Sequence, residues 1–154
     1  MPEIPPVPET ILVIDDNEDL LSFISDSLRK LGSFTVVTAS NGDEGLERYF
    51  EVRPACVVVD VKMPGLDGYQ LVKALRGDPE SSSTPIVMLS AMAQPKDQLT
   101  GFLSGADEYI VKPVGALELV RVIHAVVARS ETERCRRQRA LLEGPSLEDD
   151  DGSA

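Results

Sequence analysis

Five short apolar runs recur along the chain at 11–14, 34–38, 55–59, 85–89 and 108–111. Most are continuous and rich in β-branched residues, as strands covered on both faces must be; half-exposed strands would alternate instead. Between them, apolar residues return at helical spacing: Leu20, Ile24, Leu28 and Leu31 before the stop signal Gly32, then Leu46, Tyr49 and Phe50, Leu71, Val72 and Leu75, Leu99, Phe102 and Leu103, and Leu117, Val120 and Val127. The order βαβαβαβαβα predicts a parallel sheet with helices on both faces, because parallel neighbours need a crossover connection.

This alternation fits one domain over 10–130, preceded by a flexible proline-rich lead at 1–9 and followed by a tail at 131–154. The arginine-rich start of the tail is predicted to extend the last helix with a solvated face, and the acidic end beyond Gly144 and Pro145 to be disordered. With 15 basic and 26 acidic residues in 154, the formal charge of −11 argues against direct binding to nucleic acid or an anionic membrane. Cys56 and Cys135 imply no disulfide framework or zinc site. Prolines and acids stand where a secretory signal would need a basic and then an apolar stretch, and no apolar run could span a bilayer. A cytoplasmic location is expected.

In an open parallel sheet, ligands bind beyond the carboxyl ends of the strands. The residues there are Asp15 and Asp16 after the first run, Asp60 after the third, Ser90 and Ala91 after the fourth, and Lys112 and Pro113 after the fifth. Three converging carboxylates would raise one another's pKa unless a cation neutralised them. Mg²⁺ suits such hard oxygen donors and leaves coordination positions for a phosphoryl ligand. An Asp beside that ion can attack phosphorus, while a lysine and a hydroxyl stabilise the transferring group.

Four segments resemble the receiver domain of two-component response regulators, of the chemotaxis-regulator-like kind. They are Ile11-Leu12-Val13-Ile14-Asp15-Asp16-Asn17-Glu18, Val57-Val58-Val59-Asp60-Val61-Lys62-Met63-Pro64-Gly65-Leu66-Asp67-Gly68, Pro85-Ile86-Val87-Met88-Leu89-Ser90-Ala91 and Gly105-Ala106-Asp107-Glu108-Tyr109-Ile110-Val111-Lys112-Pro113. The resemblance covers about residues 10–128. It implies a flavodoxin-like, doubly wound five-stranded sheet in the order 2-1-3-4-5, with Asp60 as phosphoacceptor. Asp15, Asp16, Asp60 and the backbone carbonyl of Lys62 would hold Mg²⁺. Ser90 would be the switch hydroxyl, Lys112 would pair with the phosphoryl group, Pro113 would follow a cis peptide, and Tyr109 would be the switch aromatic.

The implied partners are a histidine kinase or a histidine phosphotransfer protein, and then an effector protein or a second copy. These last would meet the face of the fourth helix, fifth strand and fifth helix. The domain would be no enzyme beyond its own phosphorylation and dephosphorylation. Lys62 and Met92, two residues after Asp60 and Ser90, cannot orient an attacking water well, so self-dephosphorylation is expected to be slow.

Simpler roles compete at single positions. Asp15, Asp16 or Ser90 alone would be read as helix caps, Asp67 as a turn or cap residue, and Tyr109 equally as a plain strand aromatic. His124, the only histidine, reads as a packing or surface residue. Two further functions stay open, a phosphate-independent interaction module and an aspartyl-nucleophile phosphohydrolase. The phosphohydrolase pattern has a second Asp where this chain has Lys62. A flavodoxin-like nucleotide binder would need a phosphate-cradling first loop, whereas Asp15-Asp16-Asn17-Glu18 repels phosphate unless a metal intervenes.

Overall fold

The computed structural model describes residues 9–129 and 131–143. The elements are β1 (Thr10–Ile14), α1 (Glu18–Gly32), β2 (Thr35–Ala39), α2 (Gly42–Val52), β3 (Cys56–Val59), α3 (Gly68–Gly77), β4 (Ile86–Ser90), α4 (Pro95–Ser104), β5 (Glu108–Val111), α5 (Ala116–Ala128) and α6 (Glu131–Glu143). All strand pairs are parallel, in the order β2-β1-β3-β4-β5. The expected doubly wound sheet is thus the fold. Four of the five strands are shifted or resized at their ends by a residue, and β5 coincides with its apolar run.

Successive strand side chains point to opposite faces, so each continuous run feeds two cores at once. Ile11, Val13, Cys56, Val58, Val87 and Leu89 meet α1 and α5 through Leu21, Ile24, Leu28, Leu119, Ile123 and Val126. Leu12, Ile14, Val57, Val59, Ile86 and Met88 meet Tyr49, Leu71, Val72, Leu75 and Tyr109 on the other side. Fully burying each such side chain contributes about 1.5–3 kcal/mol.

Several expected helix faces are rotated. Leu31 and Leu117 are exposed, and in α4 Leu99 and Leu103 point to solvent while Gly101 and Ser104 are buried. The reason lies outside the helix. The Tyr109 ring presses on α4 so closely that a Cβ at Gly101 would stand 2.6 Å from its Cδ2, so only the small-residue face can turn inward. Gly32 closes α1 for a similar reason: its Cβ would strike the Phe34 ring at 2.6 Å, whereas the left-handed cap is Ser33, at φ 56°.

The tail corrects its expectation. The α5 helix ends at Ala128, where Arg129 is extended (φ −71°, ψ 141°), and α6 is a separate helix lying against α4. Its arginine face is not wholly solvated, since Arg137 pairs with Glu108 at 2.9 Å. The expected lead over 1–8 and acidic end over 144–154 lie outside the described residues. No described helix is long and apolar enough to cross a membrane.

Candidate functional site

The site is built by the strand ladders running one step past the strands. The Asp15 N–H donates to Ala39 O (3.1 Å), Asp60 N–H to Ile14 O (3.0 Å) and Lys112 N–H to Ser90 O (2.8 Å). Because β1 and β3 pair with Ile14 opposite Val59, the next residues, Asp15 and Asp60, stand side by side where the strand order reverses. Gly68 then lets the start of α3 close on this edge, since a Cβ there would lie 2.2 Å from Asp60 O.

Carboxylate oxygens of Asp15, Asp16 and Asp60 lie within 4.8 Å of one another; Asp15 and Asp60 are buried and Asp16 is exposed. The Asp15 Oδ1 accepts the Asn17 N–H at 2.9 Å, which fixes the carboxylate, while Asn17 itself caps α1. Lys112 Nζ reaches Asp15 Oδ2 at 3.0 Å and Asp60 Oδ2 at 3.3 Å. The peptide between Lys112 and Pro113 is cis. These side chains line a cleft of about 370 Å³ together with Asn17, Lys62, Ser90, Ala91 and Met92.

Burial, and next the Asp15 carboxylate, raise the Asp60 pKa above the ordinary carboxylate value, with Lys112 acting against both. A carboxylate trio with one ammonium, which bridges Asp15 and Asp60, is a set of hard oxygen donors short of positive charge. That is the chemistry a divalent cation satisfies.

Ser90 is buried and its Oγ accepts the Met92 N–H at 3.1 Å, a local turn contact. Tyr109 is also buried, and its hydroxyl donates to Met92 O at 2.8 Å. The Lys62 side chain is exposed at the rim. Asp67 is a cap, forming a reciprocal capping box with Gln70 on α3. His124 is exposed and lies over Phe34, with ring centroids 4.6 Å apart.

The sequence of this chain matches the response regulator receiver domain over residues 11–124. The chain belongs to that family. Among curated relatives of this receiver domain, "Probable transcriptional regulator ycf27" of Porphyra purpurea is 41% identical over 123 residues, which are 80% of this chain and 49% of that protein. Transcriptional regulatory protein PrrA of Mycobacterium tuberculosis is 37% identical over 135 residues, 88% of this chain and 57% of PrrA. The chain therefore spans about half the length of the curated relatives it matches.

Among solved structures, chemotaxis protein CheY4 of Vibrio cholerae superposes with a TM-score of 0.74 at 30% identity, covering 78% of this chain and 99% of CheY4. The receiver domain of sensor histidine kinase PA1611 of Pseudomonas aeruginosa gives 0.74 at 26% identity, covering 80% and 100%. It is described with a magnesium ion coordinated in its active site cleft.

Sequence reasoning missed two features. Arg76 on α3 donates to Gly105 O (2.9 Å), to the carbonyls of Ser82 and Thr84, and to Asp107 Oδ2 (3.0 Å), which also accepts the Ile86 N–H. This network ties the start of β4 to the start of β5, and no local pattern pairs positions 76 and 107. The second is Tyr69, whose hydroxyl donates to Asp97 O in the first turn of α4 at 3.1 Å. Burial, then Tyr109 and the acids Asp97 and Asp67, push its phenol pKa up.

Proposed function

We propose that this receiver domain is a phosphorylation-dependent switch of a two-component system, with Asp60 accepting a phosphoryl group from a phosphohistidine. The donor is a histidine kinase or a histidine phosphotransfer protein, and the chain acts in the cytoplasm. One observation carries the reading: Asp60 Oδ2 stands 3.3 Å from the Lys112 ammonium, beside Asp15, in a cleft open to solvent.

Asp60 attacks phosphorus, the P–N bond breaks, and the electron pair returns to the donor imidazole, which takes up a proton. Only the ionised carboxylate of an Asp can attack phosphorus, so the cleft must keep Asp60 ionised against its burial. Lys112 contributes to this and then meets the incoming phosphoryl oxygens. Asp15, Asp16, Asp60 and the Lys62 carbonyl would hold Mg²⁺. Once bound, the ion would neutralise charge on the carboxylates and the transferring group.

Phosphorylation adds close to two negative charges and strong acceptor oxygens. Ser90 Oγ only accepts in its contact with the Met92 N–H, so its own hydrogen can turn to a phosphoryl oxygen, and the pull of that bond on Ser90 shifts the segment whose Met92 carbonyl also holds the Tyr109 hydroxyl. The change therefore reaches α4, β5 and α5, the face offered to an effector or a second copy. A phosphohydrolase reading finds no support, because Lys62 occupies the position its second Asp would need and is exposed.

Incubation with phosphoramidate and Mg²⁺ tests the proposal. The expected result is a mass gain of one phosphoryl group, lost in Asp60→Ala and in chelator. An unmodified chain, or labelling that survives Asp60→Ala, overturns it.

A further inference from the structure

Residues 93–100, the turn after β4 and the first half of α4, bury no side chain; Gly101 is the first buried residue of α4. Their polar groups mostly serve one another. Asp97 Oδ2 accepts the Gln94 N–H at 3.1 Å, the Asp97 N–H donates to Gln94 O at 2.9 Å, and Thr100 Oγ1 donates to Lys96 O at 2.8 Å. Among the described residues, the one side-chain hydrogen bond that reaches this stretch from another element is that of Tyr69, from α3 to Asp97 O at 3.1 Å.

A second phenol stands beside the first. Tyr109 of β5 donates to Met92 O at 2.8 Å, just ahead of the same stretch, and after burial it is the next cause that holds the Tyr69 pKa up. Each hydroxyl has a single hydrogen, and both hydrogens go to carbonyls of one short segment, Met92 at its start and Asp97 in the first turn of α4. The turn from Gln94 to Asp97 is closed on itself by two hydrogen bonds, so a displacement of Met92 is carried to Asp97 instead of being absorbed between them.

We propose that Tyr69 is a positioning residue of the switch: its bond to Asp97 O is made only while Tyr109 is buried, and it sets how strongly a group on Asp60 must pull before α4 moves. The inference rests on the proposed switch and adds to it a residue on α3, outside the path from Ser90 through Met92 to Tyr109. A phosphoryl group pulling on Ser90 works against both phenol bonds, and a bond present in one state only opposes passage to the other. By linkage, a contact that favours the unphosphorylated arrangement weakens the affinity for a phosphoryl-like ligand by the same factor. One neutral hydrogen bond shifts such an equilibrium about fivefold.

The test uses the full chain, with beryllium fluoride and Mg²⁺ as the probe, a phosphoryl mimic that caps a carboxylate. Tyr69→Phe keeps the ring and removes the one hydrogen. By titration calorimetry it should bind the probe about fivefold tighter than the parent. In NMR of labelled tyrosine with no probe present, its Tyr109 ring should be more solvent-accessible. Thr100→Ala removes a hydrogen bond contained within α4 and should match the parent in both measurements. Unchanged affinity or an unmoved ring in Tyr69→Phe, whatever the change in Tm, marks a structural contact only and overturns the proposal; so does Thr100→Ala acting as Tyr69→Phe does. Should neither parent nor variant take up the probe, the reading of Asp60 fails by itself, and the Tyr109 ring still decides whether Tyr69 holds the segment.

Discussion

Removing the Lys112 ammonium while keeping its chain length, by Lys112→Met, leaves Asp15 and Asp60 facing each other with nothing between them. The lysine lies 3.0 Å from one carboxylate and 3.3 Å from the other. At an effective permittivity near 20, each contact is worth about 5 kcal/mol of gross Coulomb attraction. Desolvation offsets much of that, but the two carboxylate side chains are only 3% and 10% exposed, so water cannot replace the lysine in full. Breaking a buried charge group by removing one member costs about 3–5 kcal/mol, and the open cleft and exposed Asp16 favour the lower end.

The expected loss is therefore about 3 kcal/mol at pH 7 in chelator and low salt, or roughly 10 °C in Tm. Millimolar Mg²⁺ should restore much of it. The variant should also bind Mg²⁺ about tenfold or more tighter than the parent, because a competing positive charge has gone. As pH falls through the raised pKa of Asp60 the deficit should shrink. Urea denaturation with chelator and with magnesium, at pH 7 and in acid, reads all three. Equal stability of variant and parent without divalent ions, or unchanged magnesium affinity, would refute the electrostatic account of the site.

Asp60→Asn should stabilise the chain at neutral pH, because the folded-state pKa of Asp60 lies above its unfolded value and the ionised form is the costly one. The parent's disadvantage should fade as pH falls through that raised pKa and be gone below the ordinary Asp value; denaturation midpoints across pH check it, and a pH-independent difference counts against it. Gly101→Ala should cost about 1–3 kcal/mol and drive the Tyr109 ring from its buried place, seen as a shifted and more solvent-accessible ring in NMR of labelled tyrosine; an unmoved ring contradicts the packing argument. Acyl phosphate on Asp60 should decay slowly, since Lys62 and Met92 line the cleft without offering an acid or amide to orient water. Lys62→Asn with Met92→Glu should hasten the loss, and equal decay of parent and variant would remove these positions from the account.

Much of the site was legible because it depends on short-range order. Asp15, Asp60 and Lys112 each follow an apolar run directly, and a parallel ladder carries such residues to one edge whatever the helices do. Asp67 read as a turn or cap residue from its place before Gly68, and the structure makes it the cap of α3, boxed with Gln70. Tyr109 could be placed on its strand and Ser90 just past the end of its own, but not their contacts: both engage Met92, whose position is set by the turn into α4.

The sequence by itself determined the number, type and order of strands and helices through α5, and with them the line of acids, hydroxyl and lysine along one sheet edge. Periodicity and strand ends are properties of consecutive residues. Only the tertiary structure decided which way α4 turns its leucines, that Arg76 binds Asp107, and that α6 folds back to Glu108 instead of prolonging α5. Each of these is a choice between partners tens of residues apart. It turns on whether a ring fits over a glycine or an amide reaches a helix end, and no local pattern in the chain records that fit.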